Sequence, residues 1–157
     1  MRKLKLYLET SVWNFYFADD APEKKEITLQ FFEQVKKGKY EIFLSEIVFQ
    51  EISNAPVEKM TLLIDLIKEY QPGNLDINAE ILDLSRKYII EKAIPDKAVN
   101  DSQHAAIATF YEIDALISWN LKHLANLNRM EKINGINLKE GYFKRLELIT
   151  PMEVSYE

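Results

Sequence analysis

The stretch LETSVWN, residues 8–14, closes a strand-like run of leucines with an acid, Glu9, then two hydroxyl residues and a tryptophan. A carboxylate there is either a surface charge that ends a strand or the first ligand of a cation held at the rim of a sheet. Glu51 raises the same question from a helix. In EIVFQEISNA it stands one turn after Ile47 and Val48 and one turn before Ala55, so it interrupts an apolar stripe. An acid inside a core-facing stripe is costly unless it is paired, hydrogen-bonded or bound to metal. Glu46, in the first turn of the same helix, falls outside the stripe and reads as a solvated charge. Asp101 opens the small-residue stretch DSQHAAIATFYE, and Asn120 follows the apolar run DALIS. Taken singly, each has an ordinary reading. Glu9 suits a strand end, Glu51 a snorkelling side chain, Asp101 a helix N-cap and Asn120 a turn.

The elements that must position these groups follow from the pattern of apolar residues. A first strand is predicted over about 3–9, with Leu4, Leu6 and Leu8 on one side and only its second half deeply inside, because Lys3 and Lys5 suit a buried strand poorly. Thr10 or Ser11 can cap the helix that follows. After a loop DDAPEKK, the stretch EITLQFFEQVKKG reads as an amphipathic helix stopped at Gly38. YEIFL is a second strand, Ser45 can cap EIVFQEISNA, and Pro56 ends that helix. VEKMTLLIDLIKEY is a further helix closed by QPGN, with a short strand over 71–75 behind it. Residues 79–92 read as helix, AIPDKAVN as loop and DSQHAAIATFYE as helix. DALIS is a fourth strand and LELIT, before Pro151, a fifth. Strands separated by helices predict a mainly parallel sheet covered on both faces. In such a sheet, ligand sites form beyond the carboxyl ends of the strands, where Glu9 and Asn120 fall and which Asp101 can approach.

Composition limits the chemistry. The 157 residues suit one domain spanning 1–157, and 47% hydrophobic with 29% charged residues suits a globular protein. No apolar run approaches the roughly 20 residues that span a bilayer, and the basic N-terminus lacks the apolar core of a signal peptide. A cytoplasmic location with no membrane partner is therefore expected. The absence of cysteine excludes disulfides, thiolate zinc and a cysteine nucleophile. With two histidines in the chain, any metal would be held mainly by oxygen, which favours Mg²⁺ or Mn²⁺. No phosphate-cradling glycine loop is present. The net charge of −5 counts against general adhesion to polyanions, but bound divalent cations reverse the sign of an acidic cleft locally.

Five stretches, in order, resemble the PIN-domain family: YLETSVWNFY, LSEIVFQEI, IPDKAVNDSQHAAIA, ALISWNLKHLAN and LITPMEV. The likeness is greatest to VapC-like ribonuclease toxins of bacterial toxin–antitoxin pairs. Its most specific parts are the Asp-x-x-His-Ala-x-x-Ala helix and the Ser-Trp-Asn-x-x-His block. The resemblance implies a three-layer α/β/α PIN-like fold with a sheet of four or five strands. It places the catalytic and metal-ligating positions on Glu9, Glu51, Asp101 and Asn120 around Mg²⁺ or Mn²⁺. Glu9 and Asp101 are then direct ligands, Glu51 a ligand or a base that orients water. Asn120 meets the cation, or a water on it, through its amide oxygen. Ser118, Thr10 and Ser11 orient the ligands. The first position is commonly Asp, and Glu9 carries its carboxylate about 1.5 Å further out. The implied activity is metal-dependent endoribonuclease cleavage of RNA, with a cognate antitoxin and a homodimer as partners. The alternative is a catalytically silent PIN-like module that binds RNA or protein. His104 and His123 read as packing or hydrogen-bonding residues rather than ligands. Small Ala105 and Ala108 let their helix lie close to the sheet. Trp13 and Trp119 flank the cleft and read as core or partner contacts before base-stacking platforms. Lys122 and Arg129 read as solvated cations before phosphate contacts.

Overall fold

The structure, a computed structural model, describes residues 2–155. Along the chain run β1 (Leu4–Leu8), α1 (Thr10–Phe15), α2 (Pro22–Lys36), β2 (Tyr40–Leu44), α3 (Glu46–Ile52), α4 (Val57–Tyr70) and β3 (Gly73–Asn74). They are followed by α5 (Ala79–Ile90), α6 (Val99–Phe110), β4 (Ala115–Ile117), α7 (Leu127–Lys139), β5 (Glu147–Ile149) and α8 (Pro151–Ser155). The five strands form one sheet in the order β3-β2-β1-β4-β5, and every pairing is parallel. The chain moves outward from β1 through β2 to β3, then returns to place β4 on the other side of β1. The switch point of the sheet therefore lies between β1 and β4, where a parallel sheet opens a crevice at its carboxyl edge.

Alternation along the strands divides the core into two layers. Leu6, Leu8, Ala115 and Ile117 face α2 and α4, packing with Val12, Trp13, Phe31, Phe32 and Leu63. Tyr7, Leu116 and Leu148 face α5, α6 and α7, with Tyr88, Ala105 and Ile133 among their neighbours. This is the expected α/β/α arrangement. As the two lysines required, β1 is exposed at Leu4 and buried from Leu6 onward. Helix α3 straddles the sheet end, because Ile47 joins one layer while Val48 and Ile52 join the other.

Several boundaries differ from those expected. Helix α2 begins at Pro22, inside the stretch read as loop, since proline is preformed for the first helical position. Helix α6 begins at Val99, so Asp101 is the third helical residue and not its N-cap. The cap of α1 is Glu9 itself, whose side chain accepts from the Ser11 N–H, and not Thr10 or Ser11. Helix α7 has no counterpart in the sequence reading. Its buried face includes Asn134 and Asn137 beside Met130, Ile133 and Ile136, which breaks the apolar period. Asn134 is nevertheless satisfied, donating to the Met130 and Leu146 carbonyls and accepting from the Leu146 N–H. Strand β3 is two residues long; a Cβ at Gly73 would meet Phe43 Cδ1 at 2.7 Å.

Candidate active site

The register of β1 on β4 builds the first half of the site. Leu8 lies opposite Ile117, so Glu9 and Ser118 leave the sheet side by side. Ser118 Oγ donates to Glu9 Oε1 at 2.7 Å, and Ser11 donates to the same oxygen from Oγ at 2.5 Å and from its backbone N–H at 3.2 Å. Among the described residues, all of these donors meet Oε1. Glu9 is 5% exposed, yet no lysine or arginine reaches it among the described residues. The serines are held in turn: Ser11 Oγ accepts from the Trp119 N–H at 2.8 Å, and Ser118 Oγ accepts from the Asn120 N–H at 2.9 Å.

The second half comes from α3 and α6. Glu51 Oε1 accepts from Thr10 Oγ1 at 2.6 Å and lies 2.7 Å from His104 Nε2. This is how the acid in the apolar stripe is tolerated: it is hydrogen-bonded at the boundary between the two core layers. A carboxylate only accepts, so Nε2 carries a proton. In the neutral imidazole, Nδ1 then accepts from Tyr7 Oη at 2.6 Å, and Tyr7 Oη accepts from Ser45 Oγ at 2.8 Å. Ser45 also caps α3 as expected, accepting from the Ile47 N–H at 3.3 Å. His104 is fully buried. Its hydrogen-bonding role agrees with the sequence reading, although the relay from Ser45 through Tyr7 to Glu51 is invisible in one dimension.

Asp101 lies near enough for the charges of Glu9 and Glu51 to act on it, but it is outside the set whose ligand atoms converge within 4.8 Å, which is Glu9, Glu51 and His104. Asp101 Oδ2 accepts from the Asn120 side-chain nitrogen at 3.2 Å, while Asn120 Oδ1 accepts from the His123 N–H at 3.0 Å. The backbone donor fixes the amide's orientation: the nitrogen, not the oxygen, turns toward the acids. The structure thus places Asn120 as a partner of Asp101, with the oxygen expected to meet a cation engaged elsewhere. A pocket of about 320 Å³ opens beside these groups, lined by Glu51, Lys97, Ala98, Val99, Asn100 and Asp101.

The electrostatics follow from three acids that make no ion pair with a lysine or arginine among the described residues, although Lys97 lines the same pocket. Burial, then the charges of Glu9 and Glu51, push the Asp101 carboxyl up from 3.8 to about 6, against the opposing effects of His104 and Asn120. Burial also pushes Glu51 up, but bonds and charge from His104, with bonds from Thr10 and Asn100, outweigh it and hold Glu51 below its ordinary value. Burial lowers the affinity of His104 for a proton, and the bond to Glu51 with the charges of Glu9, Glu51 and Asp101 raises it further than burial lowers it. Ligand atoms of Glu9, Glu51 and His104 all lie within 4.8 Å of one another. Carboxylate oxygens that repel one another suit a hard divalent cation, whose charge would relieve the repulsion. His104 Nε2 is within reach geometrically, but its bond to Glu51 and the anchoring of Nδ1 make it an orienter of that acid.

The remaining side chains are packed or solvated. Trp13 donates weakly to the Leu8 carbonyl at 3.4 Å, and Trp119 donates to Thr28 Oγ1 at 2.9 Å; both are buried. Arg129 Nη1 donates to the Ala93 carbonyl, and Lys122 is exposed.

Two solved structures share this architecture. VapBC2 from Rickettsia felis, bound to a DNA fragment from its promoter, aligns with a TM-score of 0.55 and 18% identity, covering 94% of this chain and 98% of that one. FitAcB from Neisseria gonorrhoeae aligns at 0.57 and 14%, with the same coverages. At these identities the likeness establishes the fold, which is PIN-like. No protein-family model and no curated protein matches the chain.

Proposed function

We propose that this chain is a PIN-domain endoribonuclease dependent on Mg²⁺ or Mn²⁺, acting as the toxin of a toxin–antitoxin pair. The observation that carries this reading is the gathering of Glu9, Glu51 and Asp101 at the sheet's switch point with no lysine or arginine in ion-pair contact among the described residues. The shared fold with VapBC2 and FitAcB, both toxin–antitoxin complexes, supports the biological setting. An antitoxin peptide filling the groove, a homodimer and a cytoplasmic location belong to the same proposal. No helix among the described residues is long and apolar enough to cross a membrane.

Glu9, Asp101 and Glu51 are the groups that would hold the cation. When bound, it would polarise the phosphodiester and neutralise charge developing at phosphorus. The chain's own contribution is orientation. Ser11 and Ser118 fix one oxygen of Glu9, and Thr10 with His104 fixes one oxygen of Glu51. In this reading Glu51 either helps to hold the cation or orients the attacking water and accepts its proton as the water oxygen bonds to phosphorus and the bond to the leaving oxygen breaks. Asn120 steadies Asp101.

Incubation of end-labelled RNA with the protein in Mn²⁺, in EDTA and with Asp101→Asn tests the proposal. Cleavage is expected only for the wild-type chain with metal; cleavage that survives EDTA or the substitution would contradict it. A second reading, a silent PIN-like module, is favoured by the engagement of the Asn120 oxygen. That reading expects RNA to be bound and left intact under all three conditions.

A further inference from the structure

The chain has a net charge of −5, and many of its cations are compensated. Arg2, Lys25, Lys87, Lys139, Lys144 and Arg145 all reach carboxylates. Lys92, Lys97, Lys122, Arg129 and Lys132 reach none among the described residues, and they are not dispersed. Lys92, Arg129 and Lys132 line one pocket of about 360 Å³ together with Ile94, Pro95 and Asp96. Arg129 is held at its rim by the bond from Nη1 to the Ala93 carbonyl. Lys122, Arg129 and Lys97 all act on His123, whose imidazole is held below its ordinary proton affinity by burial and then by these three charges. His123 Nδ1 is buried with no hydrogen-bond partner among the described residues. Lys97 lines the acid pocket itself, beside Glu51 and Asp101. The strip is thus tied to the acids twice, through Lys97 and through the chain of bonds from His123 to Asn120 to Asp101.

Like charges left side by side repel, and a polyanion is the partner that relieves them. We infer that this strip, running from Lys97 past Lys122 and Arg129 to Lys92 and Lys132, holds the backbone phosphates of single-stranded RNA on one side of the cut. This rests on the nuclease reading, since a strand cleaved at the acid pocket must continue beyond it. The planar fork of Arg129 suits a phosphate. Phosphate contacts carry no sequence information, so the strip fixes register and polarity while base choice is made elsewhere.

The test uses fluorescein-labelled single-stranded RNA and anisotropy in EDTA, which prevents cleavage, over a range of salt concentrations. Two charge-matched double variants are compared: Lys92→Ala with Lys132→Ala in the strip, and Lys59→Ala with Lys68→Ala on α4, both exposed pairs. The strip variant is expected to bind more weakly for every RNA sequence. Its log–log salt dependence should be shallower by about 1.4, at about 0.7 per lost phosphate contact. The α4 variant should match the wild type. Equal affinity and slope for the two variants would overturn the proposal, as would failure of the wild type to bind RNA. So would a strip variant that binds RNA normally but loses a polyglutamate probe, which would make the strip a site for an acidic protein partner. Wild-type RNA binding that depends on Lys92 and Lys132 without any metal-dependent cleavage would instead overturn the nuclease reading and leave the strip standing.

Discussion

The two ends of β4 carry opposite electrostatic designs. Asp114, just before the amino end, accepts two bonds from the Arg2 guanidinium at 2.8 and 3.1 Å and one from the Lys5 N–H at 2.8 Å. Lys144 adds an ion pair at 2.8 Å. The Arg2 bond above all, with help from Lys144 and the Lys5 amide, holds its carboxyl well below the usual range. Asp101, across from the carboxyl end, has one neutral donor, Asn120, and two acids as neighbours, and it is raised to about 6. Both acids are partly buried, one at each end of the sheet. The difference lies in their partners: Asp114 is paired with two cations of the chain, whereas Asp101 has a neutral donor and lies among like charges. The ion-paired acid ties β1 and β4 together, and a cluster of hydrogen-bonded acids with no ion pair to a lysine or arginine is the pattern expected where a ligand is met.

Changing each acid separately gives the widest contrast. Asp101→Asn is expected to lower RNA cleavage by more than about 10²-fold, since losing a ligand costs at least what losing a supporting residue does. The same change should stabilise the metal-free protein at pH 7.5 by up to about 3 kcal/mol, the equivalent of the raised carboxyl. Melting in EDTA would then rise by about 2–4 °C per kcal/mol. A lower melting temperature would show that the acids are not in conflict. For His104→Ala, cleavage is expected to fall by roughly 10–100-fold. His104→Gln, which keeps a side-chain N–H toward Glu51, should recover part of that loss, and equal losses would leave His104 as packing alone. Asp114→Asn should cost about 1–3 kcal/mol through weakened charged hydrogen bonds while leaving cleavage per folded molecule unchanged.

The pH dependence is the subtlest contrast. Asp101 binds its proton more tightly when folded, so its contribution to stability falls as pH rises from 3.8 through about 6. The raised His104 acts in the same direction, its stabilisation being lost as pH rises through its folded value. Asp114 works oppositely: its stabilisation is complete above 3.8 and is lost as pH falls toward its depressed folded value. Denaturant titrations of the metal-free protein should therefore place the greatest stability between about pH 4 and 6, and Mn²⁺ should shift it upward. A profile that rises steadily to pH 8 without metal would deny the conflict at the carboxyl end.

How much of this was legible in the sequence follows from what kind of signal each feature leaves. Strands β1, β2 and β4 and helix α4 show through because their apolar residues repeat with the right period. Glu51 stands out because it breaks such a period, and it proved to be hydrogen-bonded at the boundary it interrupts. Helix α7 was hidden because two asparagines occupy its buried face, a choice explained by bonds to Leu146 in the loop before β5, Tyr88 in α5 and Thr109 in α6. Asp101 looked like a cap because its residue type suits that position, while α6 starts two residues earlier at Val99 with no side-chain cap at Ala98 to mark the boundary. The direction of the Asn120 amide depends on the His123 N–H, a matter of turn geometry that composition does not record. The relay behind His104 joins Tyr7 and Ser45 from two different strand ends, so no local spacing announces it.

Calorimetric titration of Mn²⁺ into the metal-free protein, with Asp101→Asn in parallel, addresses the carboxyl-end acids most directly. Saturable binding by the wild type, with a higher melting temperature and marked weakening in the variant, is the predicted result. No binding at millimolar Mn²⁺, or equal binding by both proteins, would contradict the claim that these acids are gathered around a cation.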